Sequence, residues 1–315
     1  MSLPDFLLCF PIQTIGHSNG GQALVELTRS ITRAGRAARI CVTDSYPHDE
    51  EVVRVDLTRF QPTNEAQRAF CETVLRLTEE LGLTLQQDFD RVSLDACYVL
   101  YPEVILGNPL QARRVIRYFG NKDGILKQGR AVQAGQRDFL LGHSRVVAPN
   151  ADHICFFARQ NPLFHRLDTH EARYRRLDLT YVGKGELYGM GGCVDNTVEI
   201  TRLWPTSKTQ LAMLLRNCRF FYTGDAWSNI NVEALACGAI PVFLALGPWT
   251  NEEIDGSELG VLPRLTPGVA LSESLFSEFE VARAALLDRV AEVDARWDAS
   301  VVELIHKVDR HFGCP

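Results

Sequence analysis

Between Phe220 and Phe243, two apolar runs flank a loop and a short helical stretch that carry Asp225, Ser228, Asn229, Asn231 and Glu233. Hydrophobic patterning does not account for so many polar side chains at a strand end, so they are the first candidates for chemistry. Carboxylates accept hydrogen bonds from ligand hydroxyls. The free amides at a helix start favour an anion such as a phosphate. Ser228 or Asn229 suits the N-cap of the helix. Glu233 then falls about one turn inside it, and Gly238 suits the C′ position, where a positive φ is often needed. With no ligand at all, the two acids would complement the helix dipole, an effect worth about 0.3–1 kcal/mol. The pattern alone leaves both readings open.

The elements that position these residues alternate along the chain. Strands are expected at 6–12, 38–43, 96–101, 138–147 and 154–157, and helices at 23–34, 63–81 and 109–119. The first strand, the loop 13–21, the first helix and the second strand form a βαβ crossover, which implies a parallel sheet. Residues 158–177 are rich in charge and poor in apolar runs, and a domain boundary is placed there. A second series follows, with strands at 179–182, 199–203, 218–223 and 240–244, helices at 208–216 and 229–237, and a helical tail over 276–311. The expected fold class is α/β. Two doubly wound Rossmann-like domains face a cleft, and a C-terminal helix packs back across them. The domains are placed at 1–165 and 166–275, followed by a helical segment at 276–315.

Ligands of such sheets bind beyond the carboxyl ends of the strands, and the cleft between two domains is the natural site. Asp225 lies at one strand end, and Lys184, within Gly183-Lys-Gly185, at another. Glu103 follows the strand at 96–101, either to orient a ligand hydroxyl or to hold a turn. His17, Gly20 and Gly21 fall in the first loop. Arg202 and Lys208 are weaker alternatives to Lys184 as phosphate contacts. Trp204 borders a base or belongs to the core, His143 reads as a core or turn residue, and Phe156 and Phe157 read as core.

Composition excludes several classes. The 315 residues carry a net charge of −6 and a pI of about 5.8, which argues against nucleic acid as the main partner. The nine cysteines form no CxxC pair and mostly lie in apolar runs, so they read as reduced core residues rather than metal ligands. The opening lacks a basic n-region, and no run approaches the ~20 apolar residues of a membrane span. A cytoplasmic protein is expected, with the inner face of the cytoplasmic membrane as an alternative place of work. The tail mixes acids and bases, whereas a lipid-surface helix would be more one-sidedly basic.

Asp225-x7-Glu233, followed by Ala-Leu-Ala-Cys-Gly-Ala-Ile-Pro-Val, resembles the donor-binding signature of retaining GT-B glycosyltransferases of the bacterial polysaccharide and glycan type. The usual form is Glu-x7-Glu and then Ala-x-Ala-x-Gly-x-Pro-Val, so the first acid here is one methylene shorter. Tyr181-Val-Gly-Lys-Gly185 stands where that family places a basic residue near the donor pyrophosphate, and Gly20-Gly21 is similar to its flexible first loop. The resemblance is fullest over 179–245 and weaker over 1–120.

The resemblance implies sugar transfer from a nucleotide diphosphate sugar to a glycan or lipid-linked glycan. It implies retention of configuration, no metal, no cofactor beyond the donor substrate, and peripheral membrane association. Glu233 would bind the ribose hydroxyls, and Asp225 would contact the sugar or polarise the reacting face. Lys184 would neutralise the pyrophosphate. Gly183, Thr223, Gly224 and the segment Ser228, Asn229, Ile230 and Asn231 would complete the donor site. His17, Gly20, Gly21 and Glu103 would face the acceptor or phosphate. Two alternatives remain: a nucleotide-sugar epimerase or hydrolase, and a non-catalytic nucleotide-sugar-binding subunit. Gly16-x-x-x-Gly20-Gly21 is not the G-x-G-x-x-G fingerprint, which makes an NAD-dependent dehydrogenase a distant third.

Overall fold

The computed structural model describes residues 3–12, 19–43, 55–57, 59–85, 91–127, 129–159, 161–167, 171–190, 192–201 and 204–314. The chain divides into two compact units, Met1–Phe157 with Arg296–Pro315, and Ala158–Ala295. Each is built on its own parallel sheet with helices, the α/β class that the alternating pattern implies.

The first unit contains strands β1 (Asp5–Pro11), β2 (Ala38–Thr43), β3 (Thr84–Leu85), β4 (Cys97–Pro102), β5 (Val115–Phe119), β6 (Phe139–Gly142) and β7 (His153–Ile154). Their order is β3-β2-β1-β4-β5-β6-β7, and every pairing is parallel. Helices α1 (Asn19–Arg33), α2 (Glu65–Leu81) and α3 (Arg91–Asp95) connect the first four strands. β1 is buried on both faces, as central parallel strands are. Phe6, Leu8 and Phe10 enter one apolar cluster, while Leu7 and Cys9 enter another.

The strands expected over 138–147 and 154–157 shorten to β6 and β7, and two further expectations for this unit are corrected. The helix expected over 109–119 is absent, and its second half is the strand β5 between β4 and β6. Val115 to Phe119 are all buried, so a run of β-branched and aromatic residues inside a sheet prevails over a weak helical spacing. Upstream, Asn108 closes a turn by accepting from Ala112 N at 2.9 Å and donating to Ala112 O at 2.8 Å, and Gln111 sits at φ 51°. The second correction concerns Gly20 and Gly21, which belong to the first turn of α1 rather than to a loop.

The second unit contains β8 (Leu177–Tyr181), β9 (Val198–Glu199), β10 (Cys218–Thr223) and β11 (Ile240–Phe243), ordered β11-β10-β8-β9 and all parallel. β9 is two residues long rather than the strand expected over 199–203, of which 202 and 203 lie outside the described residues. Helices α4 (Lys208–Asn217), α5 (Ile230–Ala236) and α6 (Asn251–Asp255) belong here. Leu179, Leu215, Phe221 and Ala234 share the core of this unit. The last helix, α7 (Glu273–His311), contributes its residues up to Ala295 to the second unit and the rest to the first. In the first unit its Trp297, Val301, Leu304 and Val308 pack in the cluster that holds Leu24, Leu27 and Ile31 of α1.

Seven of the nine cysteines are buried and all nine are free thiols, while Cys193 is exposed. Among the described residues, no helix is long and apolar enough to cross a membrane.

Candidate functional site

The order β11-β10-β8-β9 contains a topological switch point. From β8 the chain moves to β9 on one side, and from β10 it moves to β11 on the other. The loops after β8 and β10 therefore diverge and leave a crevice at the carboxyl ends of two adjacent strands, the place where open α/β sheets bind ligands. Lys184 stands in the first of these loops and Asp225 in the second.

Glycines allow the two loops to approach. A Cβ on Gly185 would stand 2.8 Å from Gly224 O, and one on Gly224 would stand 2.9 Å from Met190 Sδ. Gly183 adopts φ +57°, and a Cβ there would meet the Tyr181 ring at 2.5 Å. At these three positions the missing side chain makes room for neighbouring atoms. Gly224 N also donates to Tyr181 O at 2.9 Å, tying the second loop to the end of β8.

This approach brings Lys184 and Asp225 together. Lys184 Nζ lies 3.2 Å from Asp225 Oδ2 and donates to Trp227 O at 3.0 Å, while Lys184 N donates to the same Asp225 oxygen at 3.1 Å. The lysine side chain is 14% exposed and the aspartate 2%. Asp225 therefore presents no open carboxylate in this structure, and its charge is met by Lys184. Thr223, fully buried, accepts at Oγ1 from Asp225 N at 3.1 Å. Asn231 Nδ2 donates to the carbonyls of Asp225 and Ala226 at 3.0 and 3.2 Å, clamping the loop, and its buried Oδ1 has no partner among the described residues.

Beside the pair lies a cavity of about 530 Å³. It is lined by Tyr188 and Met190 after β8, Gly224 after β10, and residues 245–248 after β11. Trp227 stacks on Trp249 with ring centroids 4.8 Å apart, so an aromatic pair braces the loops after β10 and β11.

Glu233 is placed by α5. This helix ends in a Schellman motif, with Ala239 N donating to Ala234 O and Gly238 N to Leu235 O, both at 2.9 Å, and Gly238 at φ +80°. The expected side-chain N-cap is absent. Asn229 has helical dihedral angles and makes no capping bond, while Ser228 accepts from Asn231 N through its backbone carbonyl at 3.1 Å. Ile230 opens the helix.

The Glu233 side chain is 8% exposed, and Lys208 Nζ reaches its two oxygens at 3.0 and 3.3 Å. Burial pushes the Glu233 carboxyl above its ordinary value, while Lys208 and then Asn229 pull the other way. Lys208 is the first residue of α4, whose N-cap is Ser207, with Oγ accepting from Gln210 N at 3.2 Å.

Among the remaining sequence candidates, Glu103 follows β4 with its carboxylate already held by Gly120 N at 3.1 Å and Asn121 Nδ2 at 2.9 Å. It thus ties the loop after β4 to the loop after β5. His17 and Arg202 lie outside the described residues. His143 stacks on Phe156, its centroid 4.6 Å away. Trp204 is 44% exposed, so it does not belong to the core. Among the described residues, no three His, Cys, Asp or Glu side chains are grouped to hold a metal ion.

Two features escaped the sequence reading. Trp227 and Trp249 gave no periodic signal. Lys208 reads from sequence as a phosphate contact, although a cation in the first turn of a helix opposes the helix dipole and so calls for an anionic partner.

No protein-family model and no curated protein matches the chain. Among solved structures it is similar to a glycosyltransferase from Rickettsia africae ESF-5, with a TM-score of 0.50 and 8% identity over 99% of each chain. It is also similar to an alpha-glucosyltransferase in complex with UDP and a 13-mer DNA containing a HMU base, with a TM-score of 0.38 and 12% identity over 98% of this chain and 100% of that one. The spinosyn rhamnosyltransferase SpnG gives a TM-score of 0.36 and 11% identity over 96% of each chain. At these identities, and with a TM-score of 0.50 for the first, the likeness is one of fold.

Proposed function

We propose that the protein is a GT-B glycosyltransferase that moves a sugar, with retention, from a nucleotide diphosphate sugar to a glycan or lipid-linked glycan. The observation that carries this reading is the meeting of Lys184 and Asp225 at the switch point of the second sheet, with Glu233 in the first turn of the helix that follows. Glu233 accepts the ribose hydroxyls through charge-assisted hydrogen bonds, each worth about 1.5–3 kcal/mol. Lys184 faces the diphosphate and stabilises the charge that develops as the β-phosphate leaves. Asp225 acts as a positioning residue, since both its backbone-directed and its ammonium-directed contacts fall on Lys184. The cavity beside the pair is large enough to take a sugar. A lysine supplies the positive potential that the leaving group needs, so the reading requires no metal. The acceptor attacks from the face that the phosphate leaves, and the leaving phosphate helps to take its proton.

The test is incubation with a panel of nucleotide sugars and lipid-linked glycan acceptors, with the anomeric configuration read by NMR. Transfer with retention is the expected result, and net inversion overturns the retaining assignment. The internal neutralisation of Lys184 by Asp225 favours a second reading, a non-catalytic nucleotide-sugar-binding subunit. Tight nucleotide binding with no turnover on any acceptor would support it.

A further inference from the structure

Four charged side chains of the second unit form two pairs, Lys184 with Asp225 and Lys208 with Glu233, and the proposed reaction uses three of them. Lys208 is the remaining one. It stands where a helix least tolerates a cation, at the first position of α4. Its side chain is 28% exposed, yet the ammonium turns onto a carboxylate that is only 8% exposed and touches both of its oxygens. The Phe164 ring stands 5.5 Å from Nζ, so an aromatic face also holds the ammonium. A lysine needed only for solubility would extend into water.

We propose that Lys208 is a positioning residue for Glu233, holding that carboxylate in place and in its anionic form for the ribose of a nucleoside diphosphate. The proposal rests on the donor-site reading above. The physical need is clear from the surroundings of Glu233. Val232 and Ala236 on α5, Phe164, and Leu287 and Val290 on α7 line the same small void and are apolar. Burial among them disfavours the charged carboxyl, and an uncharged carboxyl would offer a ribose a weaker acceptor.

Among the described residues, few charged, titratable or polar groups face Glu233. Lys208 approaches from α4, and Asn229 donates from the start of α5. Arg159 lines the void and lies 3.6 Å from Asp294 of α7. The Cys237 thiol follows on α5, itself pushed up to about 12 by burial. Among the described residues, Lys208 is the cation in direct contact.

Two readouts test the proposal. The first is ligand-free: a carboxyl ¹³C NMR titration of glutamate-labelled protein, with the Glu233 resonance assigned by its absence in Glu233→Gln. In Lys208→Met the Glu233 midpoint should rise by about one pH unit or more relative to the wild type, and Lys208→Arg should restore it. The second is the affinity for UDP and GDP, measured by calorimetry at pH values on either side of the Glu233 midpoints found by NMR. Lys208→Met should bind several-fold more weakly than the wild type between the two midpoints, and the deficit should shrink as pH rises above both and the carboxyl ionises.

An unmoved Glu233 midpoint in Lys208→Met overturns the proposal, and so does a loss of affinity that is equal at every pH. If the midpoint moves but neither nucleotide binds the wild type, the donor-site reading fails while the pairing stands. Lys208→Gln provides a second neutral variant should Lys208→Met fold poorly.

Discussion

Removing both charges of the Lys184–Asp225 pair should cost clearly less than the sum of removing each alone. Asp225 is 2% exposed and Lys184 14%, so the aspartate cannot be rehydrated without opening the loops after β8 and β10, and the lysine only in part. Breaking a buried pair on one side typically costs about 3–5 kcal/mol, because the survivor is left uncompensated. Lys184 keeps some contact with water and a bond to Trp227 O, which lowers the expectation for Asp225→Asn to about 2–3 kcal/mol. The asparagine also keeps an acceptor for Lys184 N, preserving a bond worth about 1 kcal/mol. Lys184→Met strands the deeper charge and should cost about 3–4 kcal/mol. The double variant should then be less destabilised than the sum of the singles by about 2 kcal/mol. Urea unfolding followed by tryptophan fluorescence suits the measurement, since Trp227 and Trp249 stack beside the pair. Circular dichroism should be recorded alongside, because a chain of two units need not unfold in one step. Single costs that add to within about 0.5 kcal/mol would show that the two charges do not depend on each other.

Three further outcomes follow from the geometry. Glu233→Gln should weaken nucleoside diphosphate binding by about 30- to 150-fold, the equivalent of about 2–3 kcal/mol lost with the charged acceptor; calorimetry showing less than a threefold change would contradict the ribose role. Gly185→Ala should destabilise the second unit by about 1–3 kcal/mol, because its Cβ would press on Gly224 O at 2.8 Å, and unfolding curves that match the wild type would show that the loops part freely. Burial holds His143 down to about 4, below its ordinary value. The unfolded chain therefore takes up this proton first as pH falls. The contribution is fully present above about pH 6.5 and is lost progressively toward pH 4, amounting to at most about 3 kcal/mol. A stability–pH profile of His143→Phe that drops as steeply over that window as the wild type would exclude this group as a cause.

The second sheet was legible in the sequence to a useful degree. The run from Cys218 to Phe243 folds as strand, loop, helix and strand, because two short apolar runs flank a stretch that ends in a glycine able to take φ +80°. Lys184 follows β8, as the strand pattern implied. The partners of these residues were not legible. Lys184 and Asp225 are 41 positions apart, and Lys208 and Glu233 are 25 apart. Both pairings follow from strand order, which periodicity does not encode. In the first sheet, Val115 to Phe119 were misread because a short apolar run suits a buried strand or a helix equally until its neighbours are known. The start of α1 was misplaced for a different reason: Gly20 and Gly21 have low intrinsic helix propensity, which tertiary context overrides.

In the proposed donor site, the carboxyl ends of the second sheet bind a nucleotide sugar through Lys184 and Glu233. That binding is tested most directly by thermal unfolding of the wild type with UDP-, GDP-, dTDP-, ADP- and CMP-sugars, repeated on Glu233→Gln. A donor at about 100 times its Kd stabilises the folded chain by about 2.7 kcal/mol. At least one of the five should raise the unfolding temperature of the wild type, and the Glu233→Gln variant should lose most of the effect. No shift with any of the five, or a shift that survives the substitution unchanged, would contradict the donor site.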